Sequence, residues 1–227
     1  MNGLLNGILA ALMGALVLTL VVAIRRRDIA AVVNALVSVA GAVLALLLAA
    51  GFQLPGQSTG ISPGLPLWVT SAGLLHSIGM LGPYESVWWW DHLTHTVSAA
   101  LVAALLYAGV IVTVETDATL TLSAVTVVYT LGFGIFWEVI ELGARTVGER
   151  FDIEPVLVHY GWRDTAYDLV FDVVGAVLVV ALDLRLFVGF VADFPKITRA
   201  VLGWGGGLII GSVLLVALYL VTRDDHG

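Results

Sequence analysis

A succession of long, uncharged apolar runs constrains this chain more than any other feature, because each run is long enough to carry a helix across a bilayer. Spanning the hydrocarbon takes about 20 consecutive helical residues. Leu4 to Ile24 is such a run, closed by Arg25-Arg26-Arg27-Asp28, and Ile29 to Ala50 is the next. A Pro/Gly/Ser-rich stretch, Gln53 to Pro66, separates that hairpin from five further segments. These cover Leu67 to Leu81, Trp88 to Val114, Leu120 to Arg145, Thr165 to Val188 and Val201 to Val221. The expected fold is all-α, a polytopic transmembrane helix bundle of about seven spans. Segment three is short enough to dip into the membrane and return instead of crossing. Three regions are expected: an N-terminal transmembrane hairpin (1–52), a helical core holding the polar residues (67–188), and a C-terminal helix with a short tail (201–227). The first run has no basic residues ahead of it, so it reads as a retained helix and not a cleaved signal peptide.

Composition agrees. Of the 227 residues, 59% are hydrophobic, and the mean hydropathy is +1.01. There is no cysteine, which excludes disulfides, thiolate metal sites and cysteine nucleophiles. The 17 acidic residues outnumber the 10 basic ones, and Lys196 is the one lysine. A nucleic-acid partner needs a basic patch and is not expected. Excess acid with scarce lysine is the balance that salt-adapted proteins carry.

Sidedness follows from the positive-inside rule. With seven crossings, Arg25, Arg26, Arg27, Arg145, Arg150, Arg163 and Arg223 share one side, against Arg185, Lys196 and Arg199 on the other. If segment three only dips in and returns, the count from Arg25 onward becomes six against four; on the seven-span count the arginine-rich side is expected to be cytoplasmic, in a multi-pass cell-membrane protein.

Successive helices alternate in direction, and this alternation gathers the ionisable residues. The start of segment four (Trp88-Trp89-Trp90-Asp91-His92-Leu93-Thr94-His95), the end of five (Trp137-Glu138 through Glu141 to Arg145) and the start of six (Asp164 to Asp172) fall on one side. If segment three spans, His76 joins them. Asp91 and His95 are i,i+4 neighbours on one helix face, Glu138 and Glu141 are i,i+3, and Asp164, Asp168 and Asp172 form an i,i+4,i+8 stripe. Such groups are expensive in a membrane, at least about 2.5–3.5 kcal/mol for a charge at its centre. Mutual repulsion adds to that cost, so the cluster calls for a divalent cation or for shared protons with histidine and Arg145 as partners. Carboxylates together with imidazole suit Mg²⁺, Mn²⁺, Zn²⁺ or iron. The candidate ligands are Asp91, His95, Glu138, Asp168, Asp172, His76 and Asp164.

Plainer roles compete at several positions. A single histidine on an apolar helix, such as His76, is more often a hydrogen-bonded core residue, and His92 sits off the Asp91/His95 face. Trp88, Trp89 and Trp90 fit an interfacial aromatic belt. Asp183 and Arg185 fit a surface pair, and His159 and Asp152 lie in a connector of about 17 residues, Thr146 to Trp162. Gly203, Gly207 and Gly211 form a Gly-x-x-x-Gly stripe suited to close helix packing, including packing between copies.

The motifs Trp-Asp91-His-Leu-Thr-His95, Phe-Trp-Glu138-x-x-Glu141 and Asp164-Thr-x-x-Asp168, preceded by His76 and Gly79, resemble the YjdF-like inner-membrane family. They also resemble the VanZ-like pattern of Asp-x-x-x-His, Glu-x-x-Gln and Asp-x-x-x-Asn-x-x-Gly on successive helices. The matching positions are Asp91/His95, Glu138/Glu141 and Asp168/Asp172 with Gly175. Glu141 and Asp172 depart from the pattern by adding negative charge. The resemblance covers residues 70–180; it implies a shared site and names no reaction.

The expected activity is that of a metal-dependent hydrolase or transferase modifying a lipid or lipid-linked phosphate. Asp-x-x-x-Asp stripes on membrane helices resemble the Mg²⁺-phosphate sites of CDP-alcohol phosphotransferases and UbiA-type prenyltransferases. Glu141 or His92 would act as general base, and Arg145 or Arg163 would meet the anionic substrate. The alternatives are a metal-ion or proton transporter or channel, and a non-catalytic regulatory subunit.

Overall fold

The structure is a computed structural model and describes residues 2–51, 64–114, 118–152, 156–157 and 161–224. Among these residues there are nine helices and no strand. They are α1 (Asn2–Arg26), α2 (Ile29–Gly51), α3 (Gly64–Met80), α4 (Pro83–Ser86), α5 (Trp90–Thr113), α6 (Thr119–Phe151), α7 (Trp162–Ala181), α8 (Val188–Ala192) and α9 (Pro195–Asp224). Most of the Pro/Gly/Ser-rich stretch (52–63) and His159 lie outside the described residues.

Five of the nine helices are long and apolar enough to cross a membrane: α1, α2, α5, α6 and α9. The two others read as segments from sequence fall short for different reasons. The 17 residues of α3 reach only about 26 Å, less than the roughly 30 Å hydrocarbon core. In α7, Arg163, Asp164, Asp168 and Asp172 load the first eleven residues with charge.

Helix limits differ from the sequence reading in two places that matter for the site. First, α6 runs on past Arg145 to Phe151, which shortens the expected connector. Arg145 and Glu149 form an i,i+4 ion pair along that extra stretch, and Asp152 ends it in the left-handed conformation at φ 53°. Second, α7 stops at Ala181, and left-handed Asp183 (φ 47°) turns the chain before the separate short helix α8.

The chain divides into two compact units. The first comprises residues 1–94 and 154–156. Here α1, α2 and α3 pack on one another through small buried residues, including Ala23, Ala31, Ala35, Ala42 and Ala72, around fully buried Leu16. In a membrane such residues let helix backbones approach closely. Asp28 caps α2 by accepting the Ala31 amide at 2.8 Å, and Arg26 donates to the Leu81 carbonyl just past the end of α3. The second unit comprises residues 95–153 and 157–227, with α6 packing against both α7 and α9. Its closest approaches are at glycines. A Cβ on Gly132 would strike Ile209 of α9, and one on Gly175 of α7 would lie 2.5 Å from the Thr96 carbonyl oxygen and 2.9 Å from the Ala100 nitrogen of α5. The α5 and α7 backbones are therefore in direct contact one residue from His95.

Candidate metal centre

The site grows out of that contact. On α5, His95 is 8% exposed, and on α7, Asp168 and Asp172 are 2% and 6% exposed. The i,i+4 spacing puts both aspartates on one face of α7, and the imidazole lies between them. Its Nδ1 is 3.1 Å from Asp172 Oδ1, and its Nε2 is 3.7 Å from Asp168 Oδ1. An ionised carboxylate only accepts hydrogen bonds, so an Asp172 carboxylate would take the proton on Nδ1 and leave the Nε2 lone pair facing Asp168.

The third side comes from α6. Glu138 is 7% exposed, and its Oε2 accepts the Thr165 hydroxyl at 2.6 Å, one turn ahead of Asp168 on α7. Gly134 precedes Glu138 by one turn, and a Cβ there would collide with Asp172 Oδ2 and reach Leu169 Cδ2 at 3.0 Å. The absence of a side chain at Gly134 is what seats the Asp172 carboxylate against α6.

Helix α5 begins one turn before His95 and carries Asp91 in its first turn. Asp91, His95 and Asp168 each offer one ligand atom, all within 4.8 Å of one another, a group able to hold a metal ion. Thr94 donates to the Asp91 carbonyl at 2.7 Å.

The remaining residues expected at the site take these positions. Glu141 accepts the Trp137 indole N–H at 2.7 Å. Arg145 is half-exposed and pairs with Glu149 at 2.8 Å. His92 meets the Trp88 ring edge-on, with centroids 6.3 Å apart. His76 Nδ1 shares a 2.6 Å hydrogen bond with the Tyr84 hydroxyl, whose ring fits against α3 because Gly79 has no side chain. Asp164 is half-buried in the first turn of α7, beside Arg163, which lies over the Trp162 ring at 5.6 Å. Away from the site, Asp183 and Arg185 form the expected surface pair at 2.8 Å, and buried Tyr107 of α5 donates to the same Asp183 oxygen at 2.7 Å. The hydrogen bond from Arg185, then that from Tyr107, holds the Asp183 carboxyl below its ordinary range.

Thr165 and Gly134 were not singled out by sequence. The signal for both was present: Thr165 precedes Asp168 by three residues and Gly134 precedes Glu138 by four, so each shares a helix face with an acid.

Apolar spans and buried ionisable groups together define a polytopic all-α integral membrane protein. The family described as "Predicted membrane protein (DUF2238)" matches residues 7–188, and the chain belongs to it. That stretch contains every residue of the site. No curated protein and no solved structure matches the chain.

Proposed function

We propose that the chain is a divalent-cation-dependent membrane enzyme acting on a lipid or lipid-linked phosphate, with the ion held by His95 Nε2, Asp168 and Asp91. The observation that carries this reading is the His95 imidazole wedged between two buried carboxylates. Asp91, Glu138, Asp168 and Asp172 bring four negative charges when ionised, and one imidazolium cannot balance them. The arginines nearest in sequence are engaged elsewhere, Arg145 with Glu149 and Arg163 over Trp162. A divalent cation held by His95, Asp91 and Asp168 would offset part of this negative charge.

The distances suit it. Two ligands on one ion at about 2.0–2.2 Å lie roughly 3.0–3.6 Å apart, close to the 3.7 Å between His95 Nε2 and Asp168 Oδ1. Three protein ligands leave positions open for water and for a substrate oxygen, as catalytic sites require. The group lies within the first two turns of α5 and α7, near the helix ends and within reach of lipid headgroups. The exposed Arg145–Glu149 pair contributes little to stability, so its guanidinium can exchange Glu149 for a phosphate. Arg145, Arg150 and Arg163 flank this end, and on the positive-inside rule they favour the cytoplasmic face for it.

Metal content, measured by inductively coupled plasma mass spectrometry on detergent-purified protein, tests the reading. Wild type is expected to hold near-stoichiometric metal, and His95→Ala and Asp168→Asn to lose it while still folded. Wild type that stays metal-free after dialysis against Mg²⁺, Mn²⁺ and Zn²⁺ would sink the proposal. Metal binding without turnover of any lipid phosphate would leave the ion site and remove the enzyme.

A further inference from the structure

Both nitrogens of the His95 ring face a carboxylate, but on opposite sides. Nδ1 and Nε2 point away from each other across the five-membered ring. An ion bound to Nε2 and Asp168 therefore sits on the side of the imidazole away from Asp172 Oδ1. The second oxygen of Asp172 lies in the space that Gly134 leaves open on α6.

From this geometry we infer that Asp172 is not a ligand but the positioning carboxylate of the centre, that Gly134 is its seat, and that the two act as one device. This rests on the metal-site reading above. Asp172 holds the Nδ1–H tautomer and aims Nε2 at the ion, and α6 fixes Asp172 in turn through a close approach that only glycine permits. A carboxylate behind a metal-binding histidine raises the basicity of the ring and locks its orientation. Losing such a partner typically weakens metal binding about 10–100-fold without changing the ligands. The Asp168/Asp172 stripe is thus divided in function: Asp168 binds, and Asp172 positions.

The test is Co²⁺ titration of the detergent-purified full chain, followed by visible absorption and by competition with Zn²⁺. Asp172→Asn is expected to bind about 10–100-fold more weakly while keeping the wild-type band shape, because the ligand set is intact. Gly134→Ala, which removes no polar atom, is expected to show the same weakening and the same band. Because Gly134 acts through Asp172, the double variant should be no weaker than Asp172→Asn alone, a non-additivity that general loosening of the fold would not produce. Asp168→Asn should change or abolish the band. The inference is overturned if Asp172→Asn alters the spectrum as Asp168→Asn does, which would make Asp172 a ligand, or if it binds as tightly as wild type. Should Gly134→Ala fail to fold, the Asp172→Asn result still decides. Wild type that binds no Co²⁺ overturns the metal reading itself, a result distinct from either of these.

Discussion

Gly175→Ala tests whether the α5–α7 contact holds the site together. The added methyl would lie 2.5 Å from the Thr96 carbonyl oxygen, 2.9 Å from the Ala100 nitrogen and 3.3 Å from Ala99 Cβ. Two of these three atoms are backbone and cannot rotate aside. Reaching an ordinary 3.4 Å contact requires α7 to move outward by about 0.9 Å. Overpacking of this kind costs about 1–3 kcal/mol, and a clash against backbone belongs near the top of that range. Alanine returns about 0.5–1 kcal/mol as the better helix former, leaving a net loss of about 2 kcal/mol. For a chain of this size that lowers the thermal midpoint by about 4–8 °C, measurable by circular dichroism or differential scanning fluorimetry in detergent. The shift also separates Asp172, one turn before Gly175, from His95, next to Thr96, so metal content should fall with stability. The control is Gly207→Ala on α9, where a Cβ would meet nothing within 4 Å. A Gly175→Ala protein as stable as that control would refute the direct backbone contact, and with it the account of how His95 meets Asp172.

Three smaller predictions follow from individual side chains. Thr165→Val keeps the shape but removes the 2.6 Å hydrogen bond to buried Glu138, and should destabilise by about 1–3 kcal/mol in a thermal melt. Asp183 bears on the acid limb of stability. Its folded pKa is depressed, so the stability it contributes is fully present above its unfolded value, about 3.9, and is lost as pH falls through the lower folded value. Melts between pH 5 and 3 should therefore show Asp183→Asn losing less stability than wild type. Tyr84→Phe removes the partner of His76 Nδ1 and should cost about 0.5–1.5 kcal/mol, with midpoint temperature as the readout.

Much of this was legible in the sequence because it depends only on period and direction. Apolar run lengths marked the helices, strict alternation put the start of α5, the end of α6 and the start of α7 on one side, and i,i+4 spacing picked out Asp168 and Asp172. Partner choice was not legible. Spacing assigns a residue to a face of its own helix but not the rotation of that face toward a neighbour. Glu138 and Glu141 are only three apart, yet one is buried on Thr165 and the other accepts from Trp137. Arg145 could reach either Glu141, four residues back, or Glu149, four ahead, and it pairs with Glu149. What fixes the rotations is the set of close approaches at Gly132, Gly134 and Gly175, and a glycine in a membrane helix does not announce what lies against it.

The ionisable groups of α5, and those of α7 with the turn after it, fall into two clusters with an uncharged interval between them, which makes one further prediction worth arguing in full. On α5, His95 and Tyr107 are 12 residues apart, or about 18 Å along the helix. Between them the buried positions are Ala99, Ala100, Ala103, Ala104 and Leu106. On α7, everything from Val173 to Leu182 is apolar, before Asp183 completes the far cluster with Tyr107 and Arg185. An ion leaving the His95 group toward that cluster would meet no charged ligand, only hydroxyls such as those of buried Thr130 and Thr126 on α6, which already donate to backbone carbonyls, at a cost of at least about 2.5–3.5 kcal/mol, whereas toward the near end it meets solvent within a turn or two of helix. The site should therefore exchange with one side of the membrane only. In sealed vesicles of known orientation, an impermeant chelator such as EDTA is expected to strip the metal from inside-out vesicles, which expose the cytoplasmic face, and to leave right-side-out vesicles loaded. Proteoliposomes should show no more metal influx than protein-free ones. Stripping only from the right-side-out vesicles would reverse the assigned orientation and keep the one-sided site. Stripping from both sides, or protein-dependent influx, would mean that the uncharged interval opens, and the transporter reading would then replace the enzyme.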